Sequence, residues 1–229
     1  MAKRFVLGDI HGAYRALLQC LSRAGFNYKT DILICLGDVS DGWPEVCHSI
    51  RELLKIKHLV YILGNHDEWT LNWFLTGESP DIWVNQGGRA TMDSYQCAIP
   101  SSHIRLLQTA RIYYVLDNKI FVHGGFNPKI DISLQEQESV VWDRSLLHIA
   151  MEMQDAGIEK ITDYDEIYLG HTPTVNFGHS APLKICEVYL MDTGAGWRGG
   201  FLSLMNIDTK EIYTSDQVDT LYPGYFGRG

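Results

Sequence analysis

The sequence has no apolar run long enough to cross a lipid bilayer. Its first apolar stretch, residues 5–7, is too short for the core of a signal peptide, and the acid Asp9 follows almost at once. These two absences predict a cytoplasmic protein that does not act on membranes. Linkers, repeats and low-complexity segments are missing as well. We therefore expect a single domain over residues 1–229, in which 45% hydrophobic residues supply one sizeable core.

Paired cysteines and an excess of positive charge are also lacking. The five cysteines are odd in number and form no C-x-x-C pair, which is typical of buried thiols in a reducing compartment. They are Cys20, Cys35, Cys47, Cys97 and Cys186. The net charge of -9 argues against non-specific nucleic-acid binding, which needs an excess of Lys and Arg. A phosphorylated substrate remains possible, because bound divalent cations can reverse the local charge of a site.

The first third of the chain alternates short apolar runs with amphipathic segments. The runs predict strands at residues 4–7, 31–36 and 58–63, and the segments between them predict helices that begin near Tyr14 and at Trp43-Pro44. This β-α-β-α-β order predicts a parallel sheet with right-handed crossovers.

The rest of the chain is richer in predicted strands. We expect short helices at residues 69–75 and 103–109, and an antiparallel character for the last third. The predicted strands there are 112–116 and 119–122 in a hairpin, then 166–169, 188–191, 201–205 and 211–214. An α/β fold of two packed mixed sheets flanked by helices, a four-layer α/β/β/α sandwich, accommodates both parts.

Several predicted strands end beside glycine in a metal ligand. In α/β proteins the carboxyl ends of strands open onto a crevice, and glycine permits sharp exits there. Carboxylate, carboxamide and imidazole groups without a thiolate suit manganese, iron or zinc better than copper. The candidate ligands are Asp9, His11, Asp38, Asn65, His123 and His171.

Each of these residues alone has an ordinary explanation. Gly-Asp after a strand is a common turn, and an isolated histidine is more often a surface or hydrogen-bonded residue than a ligand. What favours a site is the repetition of such segments in one order. The segments are GDIHG at residues 8–12, GDVSDG at 37–42, GNHDE at 64–68, VHGG at 122–125 and GHT at 170–172.

In this order the segments resemble the calcineurin-like metallophosphoesterases, and the resemblance extends over residues 4–214. Within that family the chain is most similar to the bacterial and phage form of the phosphoprotein phosphatase branch. The segments that carry this closer resemblance are QGG at 86–88 with Thr91 and Tyr95, WDR at 142–144, and DTGA at 192–195.

The resemblance implies two divalent metal ions, with manganese expected first and iron or zinc as alternatives. Asp9, His11 and Asp38 would hold one ion. The other would be held by Asp38, Asn65, His123 and His171, so that Asp38 bridges the pair. A hydroxide between the ions would attack the phosphorus in line.

The resemblance also implies roles outside the ligand set. His66 would protonate the leaving alcohol, and Asp41 would orient and charge it; alternatively, Asp41 caps the helix near Trp43. Arg144 is the candidate for gripping substrate phosphate, because a guanidinium fork fits phosphate oxygens; the alternative is a surface salt bridge. We expect Arg89 and Arg198 at the surface, and Trp197 is a candidate for lining the cleft.

The chain departs from the family pattern at two positions. Many phosphoprotein phosphatases carry arginine directly after the acid of the second segment and directly before the third, where this chain has Gly42 and Leu63. Two phosphate-gripping cations are therefore missing. This difference affects the preference for phosphoproteins more than it affects the metal chemistry.

Three functions follow from the resemblance and its departures. The first is a metal-dependent phosphatase for phosphomonoesters, including phosphoserine, phosphothreonine or phosphotyrosine in proteins. The second is hydrolysis of dinucleoside polyphosphates or phosphodiesters at the same dinuclear site. The third is a catalytically inactive scaffold that binds a partner protein, against which the intact ligand set and His66 count.

Overall fold

The computed structural model describes residues 2–96 and 98–228, so Cys97 lies outside the described residues. The strands are β1 (Arg4–Leu7), β2 (Ile32–Cys35), β3 (His58–Tyr61), β4 (Tyr113–Leu116), β5 (Lys119–Val122), β6 (Glu166–Leu169), β7 (Leu183–Ile185), β8 (Val188–Leu190), β9 (Ser203–Asn206) and β10 (Ile212–Thr214). The helices are α1 (Tyr14–Arg23), α2 (Val46–Leu53), α3 (Asn65–Thr76), α4 (Asp81–Trp83), α5 (Arg89–Ser94), α6 (Ser101–Gln108), α7 (Gln137–Trp142), α8 (Ser145–Asp155) and α9 (Val218–Leu221).

The strands form two mixed five-stranded sheets, as predicted. The first has the order β10-β9-β1-β2-β3, with β1, β2 and β3 parallel and β9 antiparallel to β1. The second has the order β4-β5-β6-β8-β7, with β5, β6 and β8 parallel and the two edge strands antiparallel to their neighbours. The expectation of an antiparallel last third is therefore wrong for β6, which runs parallel to β5, and for β8, which runs parallel to β6.

Side chains that point alternately to the two faces of each sheet produce the four layers. In β1, Phe5 and Leu7 pack with the helices on the outer face of the first sheet, while Val6 points into the layer between the sheets. Strands β5 and β6 contribute Phe121 and Tyr168 to the same inner layer, where the two rings stack at 4.8 Å between centroids. A third cluster joins the second sheet to α7 and α8. Because side chains alternate with period two, each buried strand serves two cores.

The structure corrects the predicted start of the second helix. Helix α2 begins at Val46 rather than at Trp43-Pro44. Trp43 is fully buried, and its indole Nε1–H donates to the carbonyl oxygen of Ala195 at 2.6 Å. Its backbone N–H donates to the carbonyl oxygen of His11 at 2.9 Å. Trp43 is therefore held by contacts distant in sequence, which override the local preference for proline in a first helical turn.

Other predicted bounds also shift. Helix α3 begins at Asn65, four residues before the predicted start, so that Asn65 and His66 occupy its first turn. Strand β7 and the helix α8 were not predicted. Cys20, Cys35, Cys47 and Cys186 are buried free thiols, as expected. No helix within the described ranges is both long and apolar enough to span a membrane.

Candidate active site

The parallel strands of both sheets deliver the predicted ligands to one place. Strand β1 leads to Asp9 and His11, β2 to Asp38, and β3 to Asn65 in the first turn of α3. From the second sheet, β5 leads to His123 and β6 to His171. All six side chains are buried, at 7% exposure or less. The edge where parallel strands end is therefore the centre of the site, as the general rule for α/β sheets predicts.

Asp38 lies between two groups of possible metal ligands. Its Oδ2 atom is 3.8 Å from His11 Nε2 and 3.3 Å from His123 Nε2. Its other oxygen, Oδ1, accepts a hydrogen bond of 2.9 Å from the backbone N–H of His66. One carboxylate oxygen therefore faces histidines from both sheets, while the other fixes the orientation of the carboxylate.

The possible ligands form two overlapping groups, Asp9–His11–Asp38 and Asp38–His123–His171. Within each group the ligand atoms lie within 4.8 Å of one another. Asn65 joins the second group, because its Oδ1 is 3.0 Å from His123 Nε2 and 2.8 Å from His171 Nδ1. The structure thus brings together all six residues that the sequence singled out.

Two of the histidines have a fixed orientation. His11 Nδ1 lies 2.8 Å from the carbonyl oxygen of Ser40, and His123 Nδ1 lies 2.8 Å from that of Leu36. Because a carbonyl only accepts, each Nδ1 carries a proton, and each Nε2 is the ring nitrogen that faces the centre and can bind a cation once it is unprotonated. A metal-binding histidine is usually oriented in this way by its other ring nitrogen.

The donor set fits divalent cations. Asp9 Oδ1 is buried and has no hydrogen-bond partner among the residues that the structure describes, while Asp9 Oδ2 accepts from the backbone N–H of His171 at 2.9 Å. A buried carboxylate oxygen without a partner is costly, and a cation is the group that satisfies it. The surrounding oxygen and imidazole donors are those that manganese, iron and zinc accept.

The electrostatics of the cluster agree with this fit. Burial, followed by the nearby carboxylate of Asp192, raises the pKa of Asp9. Burial would lower the pKa of His123, but the carboxylates of Asp38 and Asp9 outweigh it and raise that pKa to about 10. Since a ligating imidazole must be neutral, cation binding has to displace this proton, and we expect metal uptake to release protons.

The backbone is strained at the same residues. His11, Asp38 and His171 have φ values of 48°, 49° and 64°, and Asp41 has 71°. Non-glycine residues rarely adopt this left-handed conformation, and such strain concentrates at functional sites. The strained positions therefore include three of the six candidate ligands and the partner of His66.

A histidine–carboxylate pair lies beside the ligand cluster. His66 Nδ1 is 2.6 Å from Asp41 Oδ2, and the His66 ring is perpendicular to that of His11 at 5.1 Å between centroids. Asp41 also accepts from the hydroxyl of Thr91 at 2.6 Å and from the indole N–H of Trp83 at 2.9 Å. The alternative that Asp41 caps α2 is wrong, because the residue at the N-cap is Glu45.

Comparison with known proteins matches this geometry to a family. The family model of the calcineurin-like phosphoesterases matches residues 2–197. The chain belongs to the calcineurin-like phosphoesterase family. It is therefore a phosphoester hydrolase, and its buried Asp and His groups are candidates for holding the divalent metals that this family uses.

The relatives include two kinds of enzyme. Serine/threonine-protein phosphatase 2 of Salmonella typhimurium is 28% identical over 180 residues, which cover 73% of this chain and 78% of the relative. The asymmetrical bis(5'-nucleosyl)-tetraphosphatase of Bacillus cereus is 26% identical over 235 residues, which cover 90% of this chain and 91% of the relative. A crystal structure of a protein assigned as a diadenosine tetraphosphatase superposes with a TM-score of 0.68 at 18% identity, covering 93% of this chain and 92% of that one, and supports the fold.

Asp67 is a buried residue of this phosphoesterase for which sequence reasoning proposed no role. Its carboxylate accepts from the backbone N–H groups of Asp38 and Val39 at 2.8 and 3.1 Å and from the Tyr61 hydroxyl at 2.7 Å. Burial, followed by the charge of Asp38, raises the pKa of Asp67 to about 6. Asp67 therefore holds the strained loop that carries Asp38. The position of Asp67 within the GNHDE segment was the sequence signal that could have indicated this role.

Arg144 lies at the His171 side of the site. It follows Trp142 by two residues, and the Trp142 carbonyl oxygen is 3.2 Å from His171 Nε2. Burial, followed by the charge of Arg228, lowers the pKa of Arg144. Within the part of the chain that the structure describes, its guanidinium forms no salt bridge, so the surface ion pair considered as its alternative is absent.

The remaining candidates are exposed side chains. Arg89 is exposed and lines a cleft of about 880 Å³, and exposed Arg198 stacks on Phe226 at 5.4 Å from the ring centroid. Trp197 stacks under the guanidinium of Arg228 at 4.9 Å. Sequence reasoning missed Arg228 altogether, although the lack of arginine at position 42 was a reason to search for a replacement.

Proposed function

We propose that this phosphoesterase hydrolyses phosphomonoesters with two divalent cations and with His66 as the general acid. The observation that carries the proposal is the position of Asp38 Oδ2, 3.8 Å from His11 Nε2 and 3.3 Å from His123 Nε2. Asp9, His11 and Asp38 would hold one cation. Asp38, Asn65, His123 and His171 would hold the other. A carboxylate oxygen shared by two ligand groups is what a pair of ions requires.

Manganese is the metal we expect first, with iron and zinc as alternatives, because the donors are oxygen and imidazole nitrogen. A pair of such ions supplies a nucleophile from water at neutral pH and stabilises the negative charge of the transferred phosphoryl group.

His66 is placed to deliver a proton. Its Nδ1–H donates to Asp41 Oδ2 at 2.6 Å, so Nε2 is the atom that can give a proton to the departing alkoxide. Asp41 is held in turn by Thr91 and Trp83, which keeps the imidazole in one orientation. General acid catalysis of this kind contributes about 10²–10⁴-fold to the rate.

Arg144 would bind the non-bridging oxygens of the substrate phosphate from the His171 side. Its guanidinium is without a carboxylate partner among residues 2–96 and 98–228, and its planar donors fit two phosphate oxygens. Phosphoserine, phosphothreonine and phosphotyrosine in proteins are the phosphomonoesters that we propose first, which agrees with the Salmonella relative being a protein phosphatase.

A second candidate substrate class is supported by the cleft next to the site. This cleft of about 880 Å³ is lined by Arg15, Arg51, Arg89 and Arg228, and also by Tyr225 and Phe226. Arginines with exposed aromatic rings suit the phosphates and bases of a dinucleoside polyphosphate. The Bacillus cereus relative carries such a substrate in its name.

A substrate panel separates these possibilities. The purified protein is assayed with para-nitrophenyl phosphate, its bis-ester, phosphopeptides and diadenosine tetraphosphate, each with manganese, iron, zinc and magnesium in turn. Hydrolysis of the monoester and the phosphopeptides supports the main proposal, whereas activity only on the bis-ester and diadenosine tetraphosphate replaces it by the second candidate. A metal-to-protein ratio near zero after purification with manganese would favour the inactive scaffold instead.

A further inference from the structure

The segment that contains Arg228 packs beside the metal-ligand cluster. Arg228 Nη1 lies 3.2 Å from His11 Nε2, and Nη2 lies 3.3 Å from the side-chain oxygen of Gln86. Arg228 is 217 residues from His11 along the chain, so only the fold brings them together.

Several contacts hold Arg228 in this position. Its backbone N–H donates to the carbonyl oxygen of Gly196 at 2.9 Å, and its guanidinium stacks over Trp197 at 4.9 Å. The preceding Gly227 has a φ of 71°, and a side chain there would meet the ring of Trp43 at 3.0 Å. The segment is thus docked against the site through glycine-dependent close packing.

The Arg228 side chain fills the space next to Gly42. A Cβ atom at residue 42 would lie 3.0 Å from Arg228 Cγ and 3.2 Å from the carbonyl oxygen of His11. Gly42 also has a φ of 89°, which disfavours any side chain. A cation therefore reaches this side of the site from a different part of the chain.

The Arg228 guanidinium has donors left for a ligand. Its Nε–H is buried without a hydrogen-bond partner, and it forms no ion pair with any carboxylate in the described part of the chain. The His11 Nε2 atom that accepts from Nη1 is also a proposed metal ligand, so this acceptor is lost when a cation binds. A guanidinium facing divalent cations is repelled unless an anion lies between them.

We propose that Arg228 binds the phosphate of the substrate and replaces the arginine that is absent at position 42. Arg228 on the His11 side and Arg144 on the His171 side would then both contact non-bridging oxygens. This inference rests on the proposed phosphatase function and extends it, because it names a specificity-determining residue of the same site.

The test compares Arg228→Ala and Arg228→Lys with wild type and with Arg198→Ala as a matched control. Arg198 is an exposed arginine of the same region whose partner is Phe226. For each manganese-loaded protein, the dissociation constant of inorganic phosphate is measured by calorimetry. Bound metal is measured by mass spectrometry, and KM and kcat are measured with para-nitrophenyl phosphate.

For Arg228→Ala we expect phosphate binding to weaken by about ten- to a hundred-fold, as expected when hydrogen bonds between charged groups are lost. KM should rise by a similar factor while the metal content stays the same. Arg228→Lys should recover part of the binding, because it keeps the charge but not the fork. Arg198→Ala should behave as wild type.

The inference is overturned if Arg228→Ala binds phosphate as tightly as wild type. It is also overturned if that variant binds more metal and gains activity, because Arg228 would then be a blocking group on His11. Failure of the phosphatase proposal looks different, since wild type itself would then hydrolyse none of the monoesters. Phosphate binding by the loaded protein would still report on Arg228 in that case.

Discussion

His66 Nδ1 lies 2.6 Å from Asp41 Oδ2, and this contact leaves Nε2 as the ring nitrogen that can face a leaving group. Thr91 and Trp83 donate to the same carboxylate, so the pair is buried and fixed. The first two predictions depend on this relationship.

The variant His66→Asn should keep its metal and lose activity selectively. For esters with poor leaving groups, such as phosphoserine peptides, the kcat of the variant should fall by about 10²–10⁴-fold, because the departing alkoxide needs a proton. For para-nitrophenyl phosphate the kcat should fall much less, since its leaving group departs as a stable anion. The measurement is kcat across a series of aryl and alkyl phosphates, with metal content as the control. An equal loss on all substrates would show that His66 is not the acid.

The variant Asp41→Asn should show a weaker form of the same selectivity and a less stable fold. An amide placed here directs N–H groups toward the donors of Thr91 or Trp83, which leaves buried groups unsatisfied at a cost of about 1–3 kcal/mol. The free energy of unfolding is measured with urea. Exposed Asp93 on α5 provides the control Asp93→Asn, for which no change is expected. Wild-type stability of Asp41→Asn would contradict the described hydrogen bonds.

Stability should depend on pH through His103, a buried residue of α6 outside the proposed ligand set. His103 is 2% exposed, and its Nδ1 lies 2.8 Å from the hydroxyl of Tyr95. Burial, followed by the charge of Arg51, lowers its pKa from 6.5 to about 4. The unfolded chain therefore binds a proton that the folded protein does not, and folding loses stability as pH falls from 6.5 to about 4.

Comparison of wild type with His103→Gln isolates this effect. The wild type should have an advantage in unfolding free energy near neutral pH that shrinks as the pH falls from 6.5 to about 4. The measurement is urea unfolding at several pH values with a chelator present. His148→Gln, at an exposed position on α8, should show no such trend. A difference between wild type and His103→Gln that is constant over this range would refute the prediction.

The strands were largely predictable from the sequence, because buried strands give short apolar runs that end in glycine. Strand β1 has the predicted bounds, and β5 and β6 do too. Helix α8 was missed because its sequence, SLLHIAMEMQD, follows a polar stretch and was not recognised as an amphipathic segment. The predicted start of helix α3 was four residues too late, because the candidate ligands of the GNHDE segment suggested a loop. These residues in fact occupy the first turn of the helix.

The ligand set was predictable for a similar reason, since each ligand lies within about four residues of the end of a strand. Partners at long range were not predictable. Asp41 meets Thr91 across 50 residues and Trp83 across 42, and Arg228 meets His11 across 217. The strained φ values at Asp38 and His171 are also invisible to sequence patterns, because tertiary contacts such as those of Asp67 impose them.

The shared role of Asp38 can be tested by the variant Asp38→Asn. An amide cannot present the same charged oxygen to both groups, and its N–H donors would face His11 or His123. We expect bound manganese to fall substantially and activity to fall by more than about 10³-fold, because both the nucleophile and the charge stabilisation depend on the ions. Elemental analysis and kcat are the readouts. Near wild-type activity would exclude a bridging carboxylate.

The most direct measurement is anomalous diffraction from crystals of the wild-type protein grown with manganese. The account predicts two anomalous peaks about 3.5–4 Å apart, one among Asp9, His11 and Asp38 and the other among Asp38, Asn65, His123 and His171. Asp38 should contact both. A map without peaks at this place, or with Asp9, Asn65 and His171 turned away from one another, would contradict it.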